Sequence, residues 1–158
     1  MQSETFIAIP GIIFTAALVD AGVSDFRGFR IPDRAPLLLL AGFAPAAWAL
    51  GLPLTDMLWN LGCAVAVFAG AVALFAARLW GGGDAKLLPA VALWTGLAGL
   101  PRLLLVIAVV GGVLALVVLL ARRAGVEKFA GGHVPYGIAI AAGGFDWAAA
   151  AVLPRLMG

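Results

Sequence analysis

Charge and sulfur are scarce in this chain, and each shortage excludes a class of site. Only 11% of the residues are charged, and Cys63 is the single cysteine, which excludes a disulfide within the chain and a thiolate metal site. His133 is the single histidine, so no second ring is available to complete a metal site with it. The net charge is only +2, which argues against a nucleic acid as a partner. We therefore expect neither a metal nor a cofactor.

Hydrophobic residues make up 64% of the chain, well above the roughly 45 to 50% of a soluble domain. They form apolar runs of about the 20 residues that cross a bilayer, separated by charges or by Gly and Pro clusters. The composition therefore predicts an all-α, polytopic membrane helix bundle with the lipid bilayer around it. Because no long polar stretch could fold apart from the bilayer, we expect residues 1–158 to form a single domain.

Six transmembrane helices are predicted from the positions of these breaks. They lie near residues 5–23, 35–54, 57–79, 86–100, 102–121 and 134–154. The loops after the first, third and fifth helices hold eight of the ten basic residues. These eight are Arg27, Arg30, Arg34, Arg78, Lys86, Arg122, Arg123 and Lys128. Because basic loops stay in the cytosol, this distribution predicts that those loops are cytosolic and that both termini lie on the outer side.

The stretch GGGDAKLL, residues 81–88, sets three glycines, an aspartate and a lysine between two apolar runs. Taken alone, it fits a turn in which Asp84 caps the next helix. Asp25 follows the first predicted helix on the same side of the membrane, so the two carboxylates could meet between helices. Two carboxylates in one site cannot both ionise easily, and one then keeps a proton while the other acts as base on a water. Such a pair hydrolyses a peptide bond without a metal or a covalent nucleophile.

Two further aspartates need a separate explanation. Asp20 lies about 140° round the helix from Asp25, so the two cannot share a face, and we expect Asp20 to be neutralised near Arg27 at the end of the helix. Asp146 falls near the middle of the sixth predicted helix, where an acid is unfavourable. An acid at such a position suggests a functional role by default. A polar cavity and a partner subunit both remain open as the surroundings of Asp146.

Three stretches occur in a characteristic order: DFRGFRIPD at 25–33, GGGDAK at 81–86 and VPYGIAIAAG at 134–143. On these motifs the chain resembles the prepilin peptidase family, the GxGD-type intramembrane aspartic proteases. In that family one catalytic aspartate lies shortly before an Ile-Pro-Asn motif, and the other ends the GxGD motif. The resemblance therefore implies that Asp25 and Asp84 are the catalytic residues.

The resemblance also implies which residues bind the substrate or shape the site. These are Gly81, Gly83, Lys86, Ile31, Pro32, Asp33, Pro135, Tyr136 and Gly137. One departure is visible, because Asp33 stands where the family usually has Asn. An ionised Asp only accepts hydrogen bonds, whereas an Asn also donates them, so the loop around Asp33 is expected to be held differently.

The implied function is that of a type IV prepilin leader peptidase in the bacterial inner membrane. Such an enzyme cuts the basic leader from a prepilin, whose apolar helix follows the leader, at the cytosolic face of the membrane. Larger members carry a cytosolic insertion with two CxxC pairs, associated with methylating the new amino terminus. This chain has no such insertion and resembles the compact form linked to Flp, or tight-adherence, pili. We therefore expect cleavage without N-methyltransferase activity; the oligomeric state is left open.

Two other functions fit the hydrophobicity of the chain. In a small proton-coupled transporter, buried acids would relay protons and the glycines would break a helix at the binding site. However, a relay needs acids near the midplane of the membrane, and only Asp146 is predicted there. A structural subunit of a secretion complex would leave the three motifs unexplained.

Overall fold

The computed structural model describes residues 2–157, with side chains for 10–151, and this part of the chain contains five α-helices and no strand. The helices are α1 Gln2–Gly28, α2 Arg34–Ala49, α3 Leu54–Ala76, α4 Gly82–Arg123 and α5 Tyr136–Met157. A short 3-10 helix, Glu127–Phe129, lies in the loop between α4 and α5. The prediction of an all-α fold is confirmed.

Helix α4 consists of two helices joined at Gly96. Its 42 residues would extend about 63 Å as one straight helix, roughly twice the hydrocarbon thickness of a bilayer. At Gly96 the backbone leaves the helical conformation, with φ of 61° and ψ of −175°. This φ disfavours any residue that has a Cβ, and a Cβ here would also collide with Asn60. We name residues 82–95 α4a and residues 97–123 α4b.

The two parts of α4 run in opposite directions along α5. Helix α4a begins at the level of Tyr136, because Asp84 and Tyr136 line the same cavity. It then passes Gly144, where a Cβ would lie 3.4 Å from Val91. Helix α4b returns to the starting level, since a Cβ on Gly111 would lie 2.8 Å from the ring of Tyr136. The chain therefore reverses at the glycine between the two parts.

The reversal corrects one boundary of the sequence prediction. The fourth and fifth predicted helices correspond to α4a and α4b, but the break expected between residues 100 and 102 is wrong, because that stretch is helical. The turn is at Gly96 because a glycine permits the left-handed φ that a tight reversal needs. Two helices, Leu54–Ala76 and Gly82–Arg123, are long and apolar enough to cross a membrane.

The core lies where α1, α4 and α5 meet, with α2 packed on α1 and α4, and α3 packed along α4. Its largest fully buried side chains come from four of the helices. They are Leu18, Leu39, Leu87, Val91, Leu103 and Ile140. Because helices in a bilayer associate through close van der Waals packing, this cluster fixes how α1, α4 and α5 lie against one another.

Two of the aspartates outside the motifs, Asp20 and Asp146, form ion pairs. Arg102 donates two hydrogen bonds to Asp146, at 2.6 and 2.9 Å, so the partner of Asp146 is a residue of the same chain. Arg34 donates two hydrogen bonds to Asp20, at 2.7 and 2.6 Å. The expectation that Arg27 neutralises Asp20 is wrong, because the short connection after α1 brings the first residue of α2 beside it. Bidentate pairing of this kind neutralises each carboxylate locally.

The reversal predicts different outcomes for two glycines of α4. Gly96→Ala should destabilise the protein by at least about 1 to 2 kcal/mol, because a non-glycine residue is strained at this φ. Gly112→Ala is the matched control, because open space surrounds its Cβ position, and replacing a helical glycine by alanine stabilises by up to about 1 kcal/mol. Thermal unfolding in detergent measures both. Equal midpoints for the two variants would contradict the reversal at Gly96.

Candidate active site

The ends of α1, α4a and α5 converge on a cavity of about 510 Å³. Helix α1 contributes Asp25 from its last turn, α4a contributes Asp84 from its first turn, and α5 contributes Tyr136 from its first residue. The other lining residues are Phe29, Arg78, Leu79, Trp80, Gly81, His133 and Val134. The structure thus brings together two carboxylates that lie 59 residues apart in the sequence.

Asp25 is fixed by a hydrogen bond across the site. Only 6% of its surface is exposed, and its Oδ2 accepts a hydrogen bond of 2.6 Å from the backbone N–H of Gly137. The carboxylate therefore links the end of α1 to the start of α5. A hydrogen bond to a charged group is stronger than one between neutral groups, so it holds the carboxylate in one orientation.

Asp84 lies in the first turn of α4a without capping it. The N-cap position belongs to Gly81, and no side-chain hydrogen bond caps the helix there. The alternative that Asp84 is a helix cap is therefore wrong. Its carboxyl lies close over Gly81, since a Cβ on that glycine would lie 2.8 Å from Oδ2 of Asp84.

Burial and the charge of Asp25 perturb the ionisation of Asp84, and both carboxyls lie outside the membrane-spanning segments that we predict. Burial raises the pKa of Asp84 to about 7, and the negative charge of Asp25 adds to the rise. Burial also raises the pKa of Asp25, against the opposing effect of the hydrogen bond from Gly137. Because the pKa of each carboxyl is raised, the neutral form is favoured, and the pair retains a proton at a pH where an ordinary aspartate has none.

The predicted site glycines lie at close approaches. A Cβ on Gly83 would lie 3.0 Å from Cβ of Ile31, and a Cβ on Gly137 would lie 2.9 Å from Cβ of Asp25. Ile31 also faces Gly137, whose Cβ would lie 2.9 Å from Cδ1 of that isoleucine. Ile31 thus packs between the starts of α4a and α5, and side chains at Gly83 and Gly137 would push these segments apart.

Four of the predicted site residues lie around the cavity rather than in its wall. Lys86 donates a hydrogen bond of 2.8 Å to Oδ1 of Asp33, which joins the loop before α2 to α4a. The aspartate that replaces the usual asparagine therefore has a cationic partner. The backbone carbonyls of Pro32 and Pro135 accept hydrogen bonds from Ala35 at 3.1 Å and Ile138 at 3.2 Å, so each proline lies at the start of a helix.

Arg78 and Phe29 line the cavity although the sequence analysis gave them no role in it. Both have left-handed backbones, with φ of 59° and 52°, which only a few per cent of non-glycine residues adopt. His133, expected in a loop, lies against Phe29 with ring centroids 5.9 Å apart. The sequence contains a hint of a role for Arg78, because this basic residue lies three residues before the glycine run that leads to Asp84.

Within residues 10–151 no group of His, Cys, Asp and Glu side chains could hold a metal.

Gly137 and Gly22 provide a matched test of the contact between α1 and α5. Gly137→Ala should destabilise the protein by about 1 to 3 kcal/mol, the usual range for overpacking, because its Cβ would displace the side chain of Asp25. Gly22→Ala, on the same helix interface, should be tolerated because the nearest side chain, Ala141, lies 3.6 Å from the new Cβ. Thermal unfolding of both variants measures the difference. A Gly137→Ala protein as stable as Gly22→Ala would contradict the described geometry.

Comparison with known proteins assigns the chain to a family. Residues 12–116 match the model of the type IV leader peptidase family. The match covers more than half of the chain and includes both cavity carboxylates. Searches of curated proteins and of solved structures returned no match. The family and the two long apolar helices indicate a membrane protein. The chain belongs to the type IV leader peptidase family and is a peptidase that acts on a protein substrate.

Proposed function

We propose that the protein is an aspartic prepilin leader peptidase in which Asp25 and Asp84 are the catalytic residues. The observation that carries the proposal is that a carboxylate from α1 and a carboxylate from α4a line one cavity. The raised pKa of each carboxyl supports it, because general acid and base catalysis by two carboxyls needs one of them protonated. The family match supplies the peptidase class.

The two carboxyls have different roles in this mechanism. Asp84 has its pKa raised to about 7 and keeps the shared proton. Asp25, whose charged form accepts the hydrogen bond from Gly137, is the base. It takes a proton from a water molecule, and the water oxygen attacks the carbonyl carbon of the scissile peptide. Asp84 gives its proton to the carbonyl oxygen. Asp25 then gives the proton that it took from the water to the amide nitrogen, and the C–N bond of the tetrahedral intermediate breaks. As the C=O bond forms again, Asp84 takes back its proton from the hydroxyl group, so the amine leaves and both carboxyls return to their starting state.

The glycines on the rim of the cavity admit the substrate backbone. A peptide bond must leave its helix before water can attack it, so the substrate enters the site as an extended strand. Gly81 presents no side chain to that strand, and Tyr136 also lines the cavity. Gly83 shapes the site from behind, through its close approach to Ile31. The remaining predicted site residues, Ile31, Pro32, Asp33, Lys86, Pro135 and Gly137, hold the ends of the helices in register.

The membrane arrangement follows from the same account. The apolar parts of α1, α2, α3, α4a, α4b and α5 form six passes in the bacterial inner membrane. Asp25 and Asp84 lie beyond these apolar parts, at the ends of α1 and α4a. The eight basic residues put the cavity on the cytosolic side and both termini on the outer side.

The substrate is a prepilin of the Flp type. Because the chain has one cysteine and no CxxC pair, cleavage occurs without methyl transfer, and one domain performs it.

A proton-coupled transporter is the less favoured alternative. Such a mechanism needs acids near the midplane of the membrane. Asp146 is the acid predicted there, and it is engaged by Arg102 in a bidentate ion pair. A carboxylate neutralised by an arginine is a poor proton carrier, because the ion pair favours its charged form.

Substitution of either cavity aspartate tests the proposal. Asp25→Asn and Asp84→Asn should each abolish leader cleavage while the protein remains inserted and folded, because the reaction needs both a base and an acid. Asp20→Asn is the control and should keep most of the activity, since Asp20 pairs with Arg34 away from the cavity. Gel separation of prepilin and mature pilin after incubation with detergent-purified protein measures the cleavage. Near-normal turnover by either cavity variant would refute the two-carboxyl mechanism.

The cleavage rate should depend on pH in a bell shape. As the pH rises through the pKa of Asp84, about 7, the second carboxyl ionises, the general acid is lost and kcat/KM falls. In acid the rate falls again once Asp25 is also protonated and no base remains. Both limbs belong to the coupled pair rather than to one residue. Initial rates over the range in which the protein stays folded give the profile. A rate that keeps increasing well above neutral pH would contradict the assignment of Asp84.

A further inference from the structure

A groove opens between α2 and α3, with α4a as its floor. At one end of the groove, Phe43 and Ala47 of α2 and Ala64 of α3 form a buried cluster with Leu93 of α4a. Toward the catalytic end the two helices leave a cavity of about 460 Å³. It follows α4a from Lys86 to Leu93, about 11 Å along the helix.

The walls of the groove are apolar and open to the surroundings of the bundle. On the α2 side they include Leu37 and Leu40, which are 61% and 49% exposed, and on the α3 side Val65 and Phe68, at 60% and 49%. On α4a, Ala90 has only a methyl side chain, so the groove extends close to the backbone of that helix. A small residue at such a position lets a helix backbone approach closely.

The end of the groove nearest the active site is polar. Asp33 and Lys86 line it there and form an ion pair of 2.8 Å, with 69% of the Asp33 side chain exposed. A helix placed in the groove with its first residue at this end would direct its free N–H groups and the positive end of its dipole toward that carboxylate. The ion pair has no net charge, so the match is one of hydrogen bonding. The exposed Asp33 carboxylate can accept the free N–H groups of a helix that begins there and runs away from the active site.

The polar end also connects to the catalytic cavity. Lys86 follows Asp84 by two residues, so the two side chains lie about 200° apart on α4a and face opposite sides of the helix. A chain passing from groove to cavity must cross the first turn of α4a, where residues 81–83 are all glycine. Crossing one helix, about 10 Å wide, takes about three extended residues.

We propose that this groove holds the apolar helix of the substrate, with the first turn of that helix at Asp33 and Lys86. The inference rests on the proposed function. A prepilin supplies the required order along its chain, because its basic leader is followed by the scissile bond and then by an apolar helix. The chain crosses over the start of α4a at Gly81, which lines the catalytic cavity, and this brings the scissile bond to Asp25 and Asp84.

The groove predicts an effect that depends on the substrate's apolar helix. Val65→Trp fills the groove from a wall position, and Val109→Trp is the matched control on α4b, because Val109 has nearly the same exposure, 59%, and does not line the groove. Two substrates are compared: a full prepilin, and a peptide with only the leader and the first few mature residues. Val65→Trp should raise KM for the prepilin by about tenfold and leave peptide cleavage unchanged. Val109→Trp should change neither.

The other outcomes overturn the inference. If Val65→Trp slows both substrates equally, the substitution has damaged the active site and the helix does not depend on the groove. If it slows neither, the groove does not bind the substrate helix. Failure of the unsubstituted protein to cleave either substrate would instead refute the proposed function.

Photo-crosslinking separates docking from catalysis. A photoreactive residue at position 65 in an Asp84→Asn background should capture uncleaved prepilin, and the same residue at position 109 should not. Capture of prepilin would support the groove even if the catalytic assignment were to fail. A crosslink to lipid alone, or to a second copy of this chain, would overturn the inference.

Discussion

The hydrogen bond from the backbone of Gly137 to Asp25 is the contact on which the site depends. It joins the last turn of α1 to the first turn of α5 at 2.6 Å, and it is possible only because residue 137 has no side chain. Ile31 packs against the same glycine and against Gly83, so the start of α4a is placed by the same contact. Because these three helix ends are fixed, Asp84 at the start of α4a lines the same cavity as Asp25.

This arrangement lowers stability where the proposed chemistry occurs. Two carboxyls withdrawn from solvent near one another disfavour the charged form, which lowers stability at this end of the bundle. The compensation lies along the rest of the bundle. Leu18, Val91 and Ile140 are fully buried at the contact of α1, α4 and α5, and an exposed ion pair neutralises Asp146 on the surface of these helices. The site is therefore a locally unfavourable end of an otherwise well-packed helix bundle.

The sequence predicts the helices and the two cavity carboxylates, because hydrophobic runs and motif order are local properties of the chain. It does not predict the position of the reversal in α4, since a glycine between two apolar runs looks like the others until Asn60 is placed beside it. The Arg102 partner of Asp146 is also hidden, because it depends on the direction in which α4b runs along α5. Contacts between distant segments are set by packing, which composition and spacing do not encode. The roles of the carboxylates remain a proposal.

The protonation state of Asp84 tests the central claim most directly. Infrared difference spectra recorded across the pH range should contain the carbonyl stretch of a protonated carboxyl that disappears with a midpoint near the pKa of about 7. The band should be absent in Asp84→Asn, and in Asp25→Asn it should titrate at lower pH, because the neighbouring negative charge is gone. A spectrum with no such band, or a midpoint unchanged by Asp25→Asn, would show that the two carboxyls do not act as a pair.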